Sequence, residues 1–403
     1  MYGLVLEGGG ARGAYHIGAY KALLEEGIQV KGVSGTSVGA LNGAMIVQGD
    51  FEKAYEIWSD MSYSRVIDPS NEYIFQLGKQ GKLDREDIKL IAEKLKGVIT
   101  DKGLDITPLK DLIEDILDEE RIRNSGKDFG IVTVSLTDMK PLEVYIEDIP
   151  HGKLRDYLLA SAYLPVFRRE KIDGKSYIDG SFYNNLPVNL LKDKGYKDLI
   201  LIRTRAAGVI RRVDLKGLNA IIISPRESLG SILDFDGDRA RYNLKLGYFD
   251  ALKALRSLKG HDYYIEADKD ENYFMEYLLS LDKARILKLA KLFRIEGESN
   301  RRMLFERVIP KLSNLLGVDD EDDYSDLFYV LLEELAKLYN IERFNVYTWH
   351  ELLQLVKEGL KSGGDSEEEE RIIDRIIEKV DILHIFTKEE VVKEFGNILF
   401  VER

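Results

Sequence analysis

The chain has 403 residues, 44% hydrophobic and 32% charged, enough for a large core and more than one domain, while no run approaches 18 apolar residues, so no membrane-spanning helix is expected. It has no cysteine, which excludes disulfides, a thiolate nucleophile and every zinc site built on sulfur, and its five histidines, at 16, 151, 261, 350 and 384, are too scattered for a local metal motif. The net charge of −13 is uneven: residues 1–260 carry 38 basic and 38 acidic side chains and residues 261–403 carry 20 and 33, so neither part offers the basic footprint that nucleic-acid binding needs.

The first strand is expected at 2–6, with no basic leader or long apolar stretch before it, so a cytoplasmic protein without a signal peptide is the default expectation. Further strands are predicted at 29–33, 130–136, 142–146, 175–178, 199–203 and 219–224. Amphipathic helices fall between them, at 15–26, 38–48 and 85–96, and a closing helix at 243–258. This alternation predicts an α/β domain over residues 1–260, a mainly parallel sheet covered on both faces. Beyond His261 the apolar residues recur three and four apart at 277–293, 324–339, 348–360 and 371–383. A β-rich run returns only at 397–401. Residues 261–403 therefore read as an acidic, mostly helical domain that serves as a cover, a protein-partner module or a self-association surface. Its acidic stretches, DDEDDYSD at 319–326 and DSEEEE at 365–370, read as solvated loops.

Chemistry concentrates in the first two βα turns. Gly8, Gly10 and Gly13 fit G-x-G-x-x-G, whose backbone N–H groups cradle either a dinucleotide pyrophosphate or the oxyanion of an acyl-transfer intermediate. A dinucleotide site calls for an acidic residue at the end of the second strand, and Glu25 and Glu26 precede that strand instead. The strand runs into Gly35-Thr36-Ser37-Val38-Gly39, a G-x-S-x-G. That motif belongs to a tight strand-to-helix turn that presents a serine at a helix N-terminus, where negative charge on the attacking oxygen is favoured. If the first two strands are neighbours, the glycine loop lies beside Ser37 at the carboxyl edge of the sheet.

These residues resemble the patatin-like phospholipases. The resemblance rests on four blocks: Gly8-Gly9-Gly10-Ala11-Arg12-Gly13, the serine block with Gly35 and Gly39, Ala160-Ser161-Ala162-Tyr163-Leu164-Pro165, and Asp179-Gly180 within YIDGSFYNNLP. It covers about residues 1–258 and implies a three-layer α/β/α fold. It also implies a lipid acyl hydrolase, most of all of phospholipids, cytoplasmic or peripheral at a membrane surface and free of metal or organic cofactor. Ser37 would be the nucleophile of a Ser–Asp dyad, Asp179 its base beside Gly180, and Gly8, Gly9, Gly10, Arg12 and Gly13 the oxyanion loop. The alternatives are a lipid or acyl-chain binding protein with little turnover and an esterase or thioesterase of neutral substrates.

Read from the residues alone, a histidine base stays open. His16 follows the glycine loop on a helix, where a locally packed residue is the plainer reading. His261, His350 and His384 lie at or beyond the end of the α/β part. Two basic clusters, Arg168, Arg169 and Lys171 and then Arg203, Arg205, Arg211 and Arg212, read first as solvated loops and second as attractors of an anionic head group.

Overall fold

The computed structural model describes residues 1–69, 103–168, 170–214, 216–297, 301–319, 323–362 and 387–401. The helices predicted at 85–96 and 371–383, together with Arg169, His384, the run 365–370 and the middle of 319–326, lie outside the described residues. The chain packs as two compact units, Met1–Leu255 and Arg256–Arg403.

In the first unit, β1 (Tyr2–Leu6) is flanked by β2 (Val30–Thr36) and β6 (Asp198–Ile202), both parallel to it. Outward from these lie β3 (Asp128–Ser135), parallel to β2, and β7 (Asn219–Ile223), parallel to β6. β4 (Lys140–Tyr145) closes the far edge antiparallel to β3. The order is thus β4-β3-β2-β1-β6-β7. Central strands of such a sheet are buried on both faces and need apolar residues at nearly every position. In VKGVSGT of β2, only Lys31 is exposed.

Helices cover both faces. α1 is Ala14–Glu25, α2 is Val38–Gln48 and α3 is Phe51–Ser59. At β3 the alternation of side chains shows the layering. A side-chain carbon on Gly43 of α2 would stand 3.0 Å from Phe129, while the opposite face, at Gly130, meets Leu190 of the helix Val188–Asp193. The sequence VGALNGAMIVQ is small and apolar all round because α2 is buried almost all round. The helix stops at Gly49, which takes the left-handed conformation and donates its N–H to the Met45 and Ile46 carbonyls.

One strand places the site. β2 stops pairing with β3 at Thr36↔Val132, and β3 continues three residues further. That free edge is taken by β5 (Tyr177–Asp179), antiparallel, with Thr133↔Asp179 in register. Asp179 therefore arrives at the point where β2 ends and Ser37 begins.

The second unit is helical around one core. Phe274 and Phe328 stack at 4.6 Å between ring centres, and the rings of Tyr329 and Trp349 meet Phe274 edge-on. Three sequence expectations change here. The run predicted as one helix over 277–293 is two, Glu271–Ser280 and Lys283–Leu292, because Asp282 accepts the Arg285 N–H and starts a new helix. The β-rich run 397–401 is instead the end of the helix Lys388–Phe400. Thr387 and Glu390 form a capping box at its start, and Val391, Val392, Phe395, Ile398 and Leu399 give a buried helical stripe. A two-residue parallel pair, Tyr264–Ile265 with Val346–Tyr347, is the strand structure that periodicity did not signal.

Candidate active site

Ser37 joins β2 to α2 at φ 56°, ψ −127°, a conformation that costs a non-glycine residue about 1–3 kcal/mol and persists only when its surroundings hold it. Those surroundings are visible. Its N–H donates to Ser161 Oγ at 2.8 Å, and Ser161 donates in turn to the Val132 carbonyl at 2.6 Å. A side-chain carbon on Gly35 would lie 2.3 Å from the Gly39 carbonyl, and one on Gly39 would lie 2.4 Å from the Leu6 oxygen, so the flanking glycines are needed for close approach.

The segment after Asp179 is sewn to the same strand. Thr36 Oγ1 donates to the Asn184 carbonyl at 2.7 Å and Ser34 Oγ to that of Pro187 at 2.9 Å. Gly180 is glycine because a side-chain carbon there would stand 2.2 Å from the Val132 oxygen. Asp179 itself is fully buried. Its Oδ1 accepts the Ser181 N–H at 2.8 Å, and its Oδ2 has no hydrogen-bond partner among the described residues. Burial raises its pKa above the ordinary aspartate value. The Ser37 hydroxyl and then Ser181 pull the other way without reversing the shift.

The glycine loop lies on the other side. Gly8 N–H donates to the Asn185 carbonyl, Ala11 N–H to that of Ile232 and Arg12 N–H to that of Gly9. The N–H groups of Gly9 and Gly10 have no such partner among the described residues. Gly10 has φ +55°, and a side-chain carbon on it would stand 2.1 Å from the Ile232 oxygen. Gly13 is required because Val38 and Trp58 close over it. The Arg12 guanidinium is spent on loop carbonyls. It donates to the carbonyls of Gly230, Thr204 and Arg205 at 2.8, 3.2 and 2.9 Å, so its side chain is a strut between loops.

A cavity of about 90 Å³ runs from Ser37 and Gly10 between apolar side chains that include Leu41, Met45, Trp58, Ile113, Leu158 and Phe235. Among the described lining residues, Ser37 and Asn42 alone carry a hydroxyl or an amide. Asn42 is spent, donating to the Gly13 carbonyl at 2.8 Å and accepting Trp58 Nε1–H at 2.9 Å.

His16 packs beside Asn42, 3.4 Å from its amide nitrogen, fully buried, with its pKa pushed down by burial to about 3. It is neutral at ordinary pH and too weak a base to take a proton readily. His261 and His350 lie in the second unit.

The basic clusters are largely tied down. Arg168 pairs with Asp105, and Arg203 with buried Glu7 at 3.1 Å, while Arg205 donates to Ser224 Oγ at 2.9 Å. Periodicity did not single out Glu7, Asn42 or Ser161. An acid closing an otherwise apolar first strand was the one available signal for Glu7, which accepts the N–H groups of Thr204 and Arg205 at 2.7 and 3.0 Å.

In the second unit His261, Asp262 and Glu333 cluster closely enough to suggest metal ligands. The Lys337 ammonium already lies 2.6 Å from Asp262 and 3.2 Å from Glu333, and Glu333 Oε2 accepts the N–H groups of residues 261, 262 and 263. A lysine stands where a metal cation would.

Residues 4–192 match the sequence profile of the patatin-like phospholipases. Patatin-like phospholipase domain-containing protein M110.7 of Caenorhabditis elegans is 26% identical over 200 residues, 50% of this chain and 16% of the relative. Neuropathy target esterase sws of Drosophila melanogaster is 28% identical over 203 residues, 50% of this chain and 12% of the relative. The matched region thus spans about one-sixth or less of these relatives' length. The structure of VipD from Legionella pneumophila overlays with a TM-score of 0.39 at 14% identity, covering 99% of this chain and 91% of that one, a likeness too loose to carry an argument. Over residues 4–192 the α/β unit of this chain is thus similar to the patatin-like phospholipase family.

Proposed function

We propose that this chain is a serine acyl hydrolase of lipid esters, phospholipids foremost, working through an acyl-Ser37 intermediate. The observation that carries the reading is the Ser37 hydroxyl, the unspent polar side chain in the wall of an apolar cavity, facing a buried carboxyl with one oxygen unpartnered. Such a cavity suits an acyl chain and offers nothing to a charged or sugar-like substrate.

In this reading Asp179 Oδ2 takes the hydroxyl proton as Ser37 Oγ attacks the ester carbonyl carbon. The carbonyl oxygen becomes an oxyanion and accepts the N–H groups of Gly9 and Gly10, while Gly8 and Gly13 hold the loop's shape. Asp179 then returns the proton to the leaving alcohol, and the acyl group stays on Ser37. Water attacks that ester, gives its proton to Asp179 and displaces Ser37, which recovers the proton as the fatty acid leaves. No cofactor enters any step.

The glycine loop therefore reads as an oxyanion cradle, not a dinucleotide site. A fluorophosphonate ester tests this directly. One covalent label on the native chain and none on Ser37→Ala is the expected result. A native chain that stays unlabelled while binding fatty acid would favour the binding-protein alternative.

A further inference from the structure

We propose that the loops rooted at Asp179 form a docking face for an anionic lipid bilayer, with Phe182, Val209 and Ile210 entering the head-group layer and Arg211 and Arg212 pairing with lipid phosphates. The proposal rests on the lipid-ester reading above and adds where the enzyme meets its substrate.

The backbone gathers these residues. Asp179 is followed within three residues by Phe182, and the Ser181 carbonyl accepts the Val209 N–H at 2.8 Å while the Val209 carbonyl accepts the Asn185 N–H at 2.6 Å. The segment 205–212 is thus stitched to 181–185. On this pair of loops Phe182 is 54% exposed, Val209 50% and Ile210 44%. One exposed apolar residue means little, since much of any protein surface is apolar. Three bulky ones on two loops bonded to each other, one of which starts at the buried Asp179, form a patch of the kind that marks an interaction surface.

The charges select the partner. Arg203 is neutralised by Glu7, but Arg211 stacks its guanidinium on the Tyr183 ring at 4.7 Å and bonds that residue's hydroxyl, and Arg212 follows it on the exposed stretch. Over residues 205–216 the carboxylate is Asp214, against Arg205, Arg211, Arg212 and Lys216. Apolar side chains with cations at their rim match an anionic membrane surface, where acyl chains lie just beneath phosphates.

The test separates docking from chemistry. Docking is read by co-sedimentation of the full chain carrying Ser37→Ala with phosphatidylcholine–phosphatidylglycerol vesicles and with pure phosphatidylcholine vesicles. Arg211→Gln with Arg212→Gln should weaken partitioning to the anionic vesicles about thirtyfold and change it little on the neutral ones. Phe182→Ser with Ile210→Ser should weaken both. In the chain with native Ser37, these variants should hydrolyse a soluble short-chain ester at the native rate, which also reports that they fold. Phe182→Trp is a second reading that needs no loss of binding: the emission it adds to that of the parent chain should shift to the blue with anionic vesicles. Native-like binding by both double variants, an unshifted added emission from the Phe182→Trp variant, or no vesicle binding by the full chain would each overturn the docking face. Retained ester hydrolysis by Ser37→Ala would instead overturn the proposed nucleophile and leave the binding result standing.

Discussion

Two buried carboxyl clusters, one in each unit, are treated in opposite ways. In the helical unit Glu333 is saturated: three backbone N–H groups meet one oxygen and Lys337 meets the other. Its neighbour Asp262, pushed up by partial burial but pulled down more strongly by Lys337 and His261, is held at about 2. In the α/β unit Asp179 is fully buried and has its pKa raised, and among the described residues it has no cationic partner and keeps one oxygen without a hydrogen bond. A satisfied carboxylate is a structural fastener. On the proposed chemistry, the one left short of partners serves as the base, and the fold bears its cost.

The largest test of this contrast removes the reactive groups. Ser37→Ala should abolish hydrolysis of a short-chain nitrophenyl ester, and Asp179→Asn should lower kcat by about 10³-fold or more while leaving the fold intact. Because the asparagine is neutral, it should also raise the melting temperature at neutral pH. His16→Ala should cost far less turnover, and comparable losses at His16 and Asp179 would break the assignment.

Next in size is Gly10→Ala. The added methyl collides with the Ile232 carbonyl at a positive φ, and losing one oxyanion donor costs about 2.7–4 kcal/mol of transition-state stabilisation. The loss should fall mainly on kcat in steady-state kinetics. On the other side of the comparison, Glu333→Ala strands the three N–H groups it accepts and should destabilise the helical unit by about 3 kcal/mol in denaturant unfolding.

The smallest effects are on pH profiles, and their signs differ between the clusters. On the proposed chemistry Asp179 must be ionised to act, and its pKa is raised, so kcat/KM should climb with pH through a midpoint above the ordinary aspartate value of about 4. Asp262 has a lowered pKa, so its stabilising contribution is complete above that ordinary value and is lost as pH falls toward about 2. Asp262→Asn should therefore flatten the acid limb of the helical unit's stability curve. A kcat/KM profile with its midpoint below about 4 would remove the contrast.

What the sequence made legible was local. The strand, turn and small-residue helix around Ser37 are consecutive, so spacing alone located them, and α2 has the bounds that spacing predicted. The alternation of strands and helices gave the parallel sheet for the same reason. Ser161 fell in a block that the resemblance marked without showing what it holds. The struts at Glu7, Asn42 and the Ile232 carbonyl were not legible, because they act across stretches of chain. Neither was the antiparallel placement of β5, which depends on β3 outrunning β2. At 397–401 the run ILFV carried a strand's composition, and the deciding signal, the Thr387–Glu390 box, lay about ten residues upstream.

Val132 is where these threads meet. It ends the pairing with β2, its carbonyl receives the Ser161 strut, and the next residue begins the pairing with β5. Ser37 and Asp179 are far apart in the chain and are measured off along this one strand. Their approach therefore requires that β2, β3 and β5 be paired. Long-range strand pairing forms slowly, so on the proposed chemistry a ribosome-bound chain that has not yet made and paired residue 179 is inert toward the membranes around it, and hydrolytic competence is acquired only with completion of the sheet.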